Sequence, residues 1–163
     1  MTDATLTEAL KEAYASAPSD ITILHTLELR HPAFIDEQGR KTAIRVVRDN
    51  VSHKCALESS APLDAGKIVE FAAMAFDLEL PPVETIPVPE ITVTLDNVST
   101  EIVQYLDQAI ETQDMIEMTY RPYLSNDLSC PQMDPPITLT ITNISVDVLK
   151  ITATARMMDI GNK

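Results

Sequence analysis

The sequence predicts one mainly β domain of the α+β kind, with two α-helices and antiparallel strands arranged as a β-sandwich or a partly closed barrel. Short runs alternate between apolar and polar residues, most clearly over residues 91–95 and 137–142. Threonine fills many of the polar positions, which suits the exposed face of a pleated sheet. The 163 residues, 45% of them apolar, suffice for one core, so we expect a single domain over residues 1–163.

Two segments have helical spacing. The first covers residues 1–18, where Thr5 and Glu8 have the spacing of a capping box and Pro18 ends the apolar pattern. The second covers residues 99–111, with Ser99 as an N-cap. Its predicted apolar face is formed by Ile102, Val103, Leu106, Ala109 and Ile110.

The remaining pattern predicts about eight short strands. The first begins at Ile21 and is ended by His31 and Pro32, and an exposed turn follows over residues 36–40. A closing hairpin is predicted with its turn at residues 143–145 and a β-bulge near Val148 and Leu149. The other predicted strands cover residues 42–48, 52–58, 67–76, 91–95 and 115–121.

Two irregular segments interrupt the strands. Residues 80–90 contain four prolines, which prevents a full ladder of hydrogen bonds and predicts a semi-rigid connector. Residues 122–136 form a polar loop with prolines, and long ordered loops inside compact domains are often functional. We therefore interpret residues 122–136 as a docking loop.

The charge excludes some partners. Twenty-five acidic residues against twelve basic ones give a formal net charge of −13, which repels the phosphates of nucleic acids. The ordinary interpretation of this charge is solubility. The N-terminus lacks a secretory pattern and no run approaches the roughly 18 apolar residues of a membrane span, so we expect synthesis in the cytoplasm and no membrane span.

Catalytic and metal-binding patterns are weak. Three glycines in the whole chain exclude a glycine-rich phosphate loop. His53 and Cys55 could share a strand face as part of a metal site, or be a half-buried histidine beside a packed cysteine. Asp77 and Glu79 could be a carboxylate pair, or mark where a strand reaches solvent. We expect no enzymatic activity, no metal and no cofactor.

Three stretches of sequence carry a resemblance. They are EAYASAPSDITILHTLELRHPAF, ITVTLDNVSTEIVQYLDQAI and MTYRPYLSNDLSCPQMDPPITLT. Together they resemble an uncharacterised minor tail or tail-tip protein family of long-tailed bacteriophages and prophages, over nearly the whole chain. Residues 119–136 are the most distinctive part. The order of elements also resembles, more weakly, the first domain of the lambda-type minor tail protein L, without the cysteine cluster that follows in that relative.

The resemblance implies a structural subunit of the virion tail tip, in a distal tail or hub ring, made in the bacterial host cytoplasm. The implied partners are other copies of the chain in a ring of six or three, the tail tube protein, tail hub or tip proteins and the tape measure protein. Carboxylates facing a central channel would keep DNA from adhering. Two alternatives stay open: a module that binds a sugar or protein of the host surface, and a cell-wall hydrolase.

The docking loop, the connector and the first helix are the candidate intersubunit surfaces. Tyrosine and arginine often carry interface energy, although a polar loop can also fold onto its own domain. Two acidic residues of the loop could hold calcium, but the dense spacing of oxygen ligands is absent. The candidate interface residues are Tyr120, Arg121, Tyr123, Asp127, Met133, Asp134, Pro87 and Pro89.

Overall fold

The computed structural model describes residues 21–79, 90–96, 98–133, 136–147 and 150–156. These residues form nine strands and one helix, α1 (Thr100–Ile110). The predicted helix over residues 1–18 and the connector, except Glu90, lie outside them. The strands are β1 (Ile23–Ile35), β2 (Lys41–Val47), β3 (His53–Ala56), β4 (Ile68–Ala73), β5 (Ala75–Glu79), β6 (Glu90–Asp96), β7 (Glu117–Leu124), β8 (Ile137–Asp147) and β9 (Lys150–Arg156).

The predicted sandwich or partly closed barrel of antiparallel strands with two helices is wrong. The described strands form one open mixed sheet in the order β3-β4-β2-β1-β7-β8-β9-β6-β5. β2 and β4 are parallel, with Val46 opposite Ala72, and the described residues hold one helix instead of two. The reason is physical: alternation reveals which residues share a face of a strand, whereas the partners of that strand are chosen by distant residues.

β1 is longer than predicted because Pro32 does not end it. An extended backbone tolerates proline where no N–H donor is needed, and the next donor, the N–H of Ala33, bonds to the Nδ1 atom of His31 at 2.9 Å. Both faces of β1 are buried in its middle, where Thr26 and Glu28 have no exposed surface. The alternation in β1 therefore does not separate a core face from a solvent face.

Contacts divide the chain into two compact units, each made of separate segments. Unit 1 comprises residues 1–27, 45–73 and 120–137. Its core contains Cys55, Phe71 and Tyr123, all without exposed surface. β3 and β4 are antiparallel here, with Cys55 opposite Val69.

Unit 2 comprises residues 28–44, 74–119 and 138–163. Its strands β5, β6, β9 and β8 pair in antiparallel fashion in that order. α1 begins where predicted, since the Ser99 side chain accepts a hydrogen bond from the N–H of Ile102 at 3.3 Å. Tyr105 of α1 contacts Phe34 edge to face at 5.5 Å. The predicted turn over residues 36–40 is confirmed, with Gly39 at a positive φ of 80°.

Two predicted details of the strands are corrected, and a third lies outside the described residues. Residues 67–76 form two strands, because Met74 lies between β4 and β5. Residues 143–145 belong to β8 and do not form a turn. The predicted bulge position, Val148 and Leu149, lies outside the described residues, and a register shift occurs between Ile141 and Asn143.

Candidate functional site

Arg121, on β7, anchors the start of the predicted docking loop inside unit 1. Its side chain has no exposed surface. The guanidinium donates two hydrogen bonds to the carboxylate of Glu58, from Nε at 2.9 Å and from Nη2 at 3.1 Å. The Thr26 hydroxyl donates to the carbonyl of Arg121 at 2.6 Å. A two-point ion pair fixes the orientation of both side chains, so Arg121 is a support of the loop and not part of its surface.

Tyr123 attaches the same segment to β3. Its hydroxyl donates to the carbonyl of Ala56 at 2.9 Å, and its ring packs against Phe71 with centroids 6.1 Å apart. The N–H of Ala56 donates to the carbonyl of Leu128 at 2.9 Å. Residues 125–133, called the β7–β8 loop from here on, therefore contact the end of β3 through Leu128. Met133 near the end of the loop is buried as well.

The tip of the β7–β8 loop is exposed and polar. The Asp127 carboxylate accepts hydrogen bonds from the N–H of Ser129 at 3.2 Å and from its hydroxyl at 2.5 Å. These bonds hold the pKa of Asp127 below its ordinary value. Asn126 and Cys130 are also exposed. Asp127 thus closes a local turn and keeps its negative charge at the surface.

Tyr120 of β7 contacts His25 of β1. Its hydroxyl is 2.6 Å from the Nδ1 atom of His25, and the two rings stack with centroids 5.8 Å apart. Burial, and to a smaller degree the positive charge of Arg48, lowers the pKa of His25. His25 is therefore a neutral hydrogen-bonding partner at pH 7.

Cys55 and His53, the residues of the possible metal site, each contact other parts of unit 1. Cys55 is fully buried, and burial raises the pKa of its thiol to about 11, so the thiol is protonated at neutral pH. His53 bonds through Nε2 to the carboxylate of Asp49 at 2.6 Å. No group of three or more metal-ligating side chains occurs in the described part of the chain. Cys55 accordingly packs as a small apolar residue.

The eight predicted interface residues fall into four groups. Arg121, Tyr123 and Met133 are buried within unit 1, Tyr120 is partly buried, and Asp127 is exposed. Asp134, Pro87 and Pro89 lie outside the described residues. Sequence reasoning missed Glu58, the partner of Arg121. No local signal could have found it, because 63 residues separate the two side chains.

Across the parts of the chain that the structure describes, no helix has the length and apolar character needed to cross a membrane.

No curated protein matches the chain significantly. Residues 9–163 match the family described as Domain of unknown function (DUF1833). Because that match covers nearly the whole sequence, the chain belongs to the DUF1833 family.

Proposed function

We propose that the chain is a structural subunit of a bacteriophage tail tip, in a distal tail or hub ring that joins the tail tube to distal tip proteins. The phage part of the proposal rests on the resemblance of residues 119–136 to tail proteins. In the structure these residues include the end of β7 and the β7–β8 loop. The described part of this segment, residues 119–133 and 136, is therefore a strand followed by a loop.

The observation that carries the proposal is an exposed polar tip on a buried base. Arg121 and Tyr123 hold the base through the hydrogen bonds to Glu58 and Ala56. Asp127 and Ser129 hold the tip in its own turn. A loop ordered before it meets a partner loses less conformational entropy on binding, which favours permanent assembly.

The β7–β8 loop also protects the end of the strand order. β3 is the terminal strand there, and such a strand offers free N–H and C=O groups to any other chain. At Ala56 both groups are already bonded, the N–H to Leu128 and the carbonyl to Tyr123. Joining through the exposed loop tip is therefore favoured over extension of the sheet at Ala56.

A phage or inducible prophage that carries the gene provides the test. The gene is removed and the full chain is supplied in trans, as wild type or as Asn126→Arg, which places bulk and charge at the exposed tip. Gln104→Arg, on the exposed side of α1, is the matched control. Mass spectrometry of purified particles gives the number of copies per particle, and labelling in electron micrographs gives their position.

We expect several copies of the wild-type chain per particle, at the tail tip. Asn126→Arg should lower incorporation at least tenfold, while Gln104→Arg keeps it. Normal infectious particles that lack the chain would refute the proposal. Saturable binding of the purified chain to host cells without incorporation would favour the host-surface module instead. Clearing of peptidoglycan in a zymogram would favour the hydrolase.

A further inference from the structure

A groove of about 310 Å³ opens on unit 2. Its walls are the C-terminal end of α1, the following residues 112–116, and residues 141–144 of β8. The lining combines aliphatic and small polar side chains, and none of the lining residues is a lysine or an arginine. Pockets that bind ligands or peptides share this mixture of apolar walls and a few polar groups.

His31 holds the wall that follows α1. Its Nδ1 atom accepts a hydrogen bond from the N–H of Ala33 at 2.9 Å, so in the neutral ring the proton is on Nε2. Nε2 lies 3.0 Å from the hydroxyl of Thr112 and 3.1 Å from the carbonyl of Asp114. The Thr112 hydroxyl in turn donates to the carbonyl of Ala109 at 2.9 Å. This wall is therefore fixed to the end of α1 and to a buried side chain.

The opposite wall is fixed by the irregularity in β8. The register shift between Ile141 and Asn143 leaves Thr142 as the extra residue of a bulge. The N–H of Ile141 donates to the carbonyl of Ile116 at 2.9 Å, which joins the two walls. Thr142 donates through its hydroxyl to the carbonyl of Thr154 at 3.3 Å. The groove is preformed, so a bound segment would not have to order its walls.

Two large apolar side chains of the lining face solvent. Ile110 is 47% exposed and Met115 is 58% exposed. Single exposed apolar residues are common on protein surfaces and need no explanation. These two line the same fixed groove, where a partner's aliphatic side chain would cover both.

The segment that forms α1 and the wall after it carries charged side chains of one sign only. The 18 residues from 100 to 117 include five acidic residues and no lysine or arginine. Within the described residues, Glu117 is paired with Arg30 at 3.4 Å, whereas Glu111 and Asp114 form no ion pair. The last turn of α1 carries no basic residue either, so the negative end of the helix dipole adds to the same field.

We propose that this groove docks a segment of a different protein that carries a lysine or arginine beside aliphatic residues. The aliphatic side chains would cover Ile110 and Met115, and the cation would approach Asp114 and the C-terminal end of α1. The acidic surface favours a partner of opposite charge, so the occupant that we expect is a basic segment of a different protein. The proposal does not rest on the tail assignment.

Methyl NMR of the full chain, labelled at isoleucine and methionine, gives a direct test. Ile110, Met115 and Ile144 report on the groove, and Ile68 of β4, 70% exposed, is the reporter outside it. The probe is the peptide Ac-Ala-Ile-Lys-Leu-Arg-Ala-NH2, and the matched control is Ac-Ala-Ile-Glu-Leu-Asp-Ala-NH2. We expect saturable shifts of the groove methyls with the basic peptide, weakened by salt, and none at Ile68.

Variants separate charge from apolar contact. The double variant Glu111→Lys/Asp114→Lys should weaken the basic peptide at least tenfold, and Glu70→Lys on β4 should leave its affinity unchanged. Met115→Ala, which keeps every acidic group, should weaken it severalfold. An unchanged methyl shift of Ile151, which is buried in unit 2, would show in each variant that this unit is intact.

Three results would overturn the proposal. The first is the absence of saturable groove shifts with the basic peptide. The second is an equal response to the acidic peptide. The third is a change of the groove methyls with protein concentration alone, which would identify a second copy of the chain as the occupant.

Discussion

The β7–β8 loop of unit 1 and residues 111–116 of unit 2 are both irregular segments held by a buried polar side chain, but they use it differently. In unit 1 the support is an ion pair, Arg121 with Glu58, and Met133 at the end of the segment is buried. In unit 2 the support is His31, through hydrogen bonds, and Met115 faces solvent.

The difference shows that a distinctive sequence need not be a binding surface. Tyr123 and Arg121 have the residue types of an interface, yet the structure uses both to fold unit 1. Ile110 and Met115 have ordinary types for a helix end, yet they remain exposed in a fixed groove. Exposure, and not residue type, separates the supports of a site from its surface.

The largest effect should come from breaking the charged support. Arg121→Ala leaves the Glu58 carboxylate, only 8% exposed, without its partner, so we expect a loss of about 3–5 kcal/mol in the free energy of unfolding. Urea unfolding measures it. Arg45→Ala is the matched control. Arg45 is 9% exposed, but its partner Asp64 is 32% exposed and stays in contact with water when Arg45 is removed, so this variant should lose less than Arg121→Ala.

A double variant sharpens the same point. Glu58→Leu/Arg121→Met removes both charges together, so it should be more stable than Arg121→Ala. If Arg121→Ala costs no more than Arg45→Ala, the ion pair does not support the β7–β8 loop.

The histidine support in unit 2 should have an intermediate effect. His31→Leu removes the hydrogen-bond partner of the N–H of Ala33 and one partner of the carbonyl of Asp114, with an expected loss of about 2 kcal/mol on unfolding in urea. Methyl shifts of Met115 and Ile144 should move as the wall relaxes. Thr112→Val, which removes one bond of the same network, should lose less. A large loss with unmoved groove methyls would contradict the role of His31 in the wall.

The N-cap of α1 should contribute about 1 kcal/mol. Ser99→Ala removes the bond to the N–H of Ile102, and such caps contribute about 0.5–2 kcal/mol. Thr100→Ala, one residue further along at an exposed position, is the control and should be nearly neutral. Thermal unfolding followed by circular dichroism compares the two. Equal losses would show that Ser99 is not the effective cap.

The smallest effect concerns pH in unit 1. Burial lowers the pKa of His25 below its ordinary value of 6.5, so the unfolded chain binds the proton more readily than the folded one. The stabilisation is complete above pH 6.5 and is lost as the pH falls below it. Because His25 is partly solvated, we expect less than about 1 kcal/mol.

Unfolding in urea between pH 7.5 and 5 tests this contribution. His25→Gln should reduce the slope of stability against pH. Tyr120→Phe keeps the aromatic ring that covers His25 and should retain the slope, because burial is the main cause of the lowered pKa of His25. A slope unaffected by His25→Gln would show that another group is responsible.

Local patterns were sufficient for part of the fold. The start of α1 at Ser99, the turn over residues 36–40 and the strand near residues 91–95 all follow from interactions between close neighbours. The end of β1 was predicted wrongly at Pro32, because whether a strand can contain a proline depends on the hydrogen bonds that surround it. Residues 67–76 were predicted as one strand because β4 and β5 are both extended and differ only in the strands with which they pair.

The sequence by itself determined which residues alternate, where α1 begins, the acidity of residues 100–117 and membership of the DUF1833 family. Only the tertiary structure decided that the strands form one mixed sheet, that Arg121 pairs with Glu58, and that His31 fixes the wall of a groove. The physical reason is distance along the chain. Caps and turns form between neighbours, whereas strand partners and buried ion pairs join residues tens of positions apart, which no local pattern encodes.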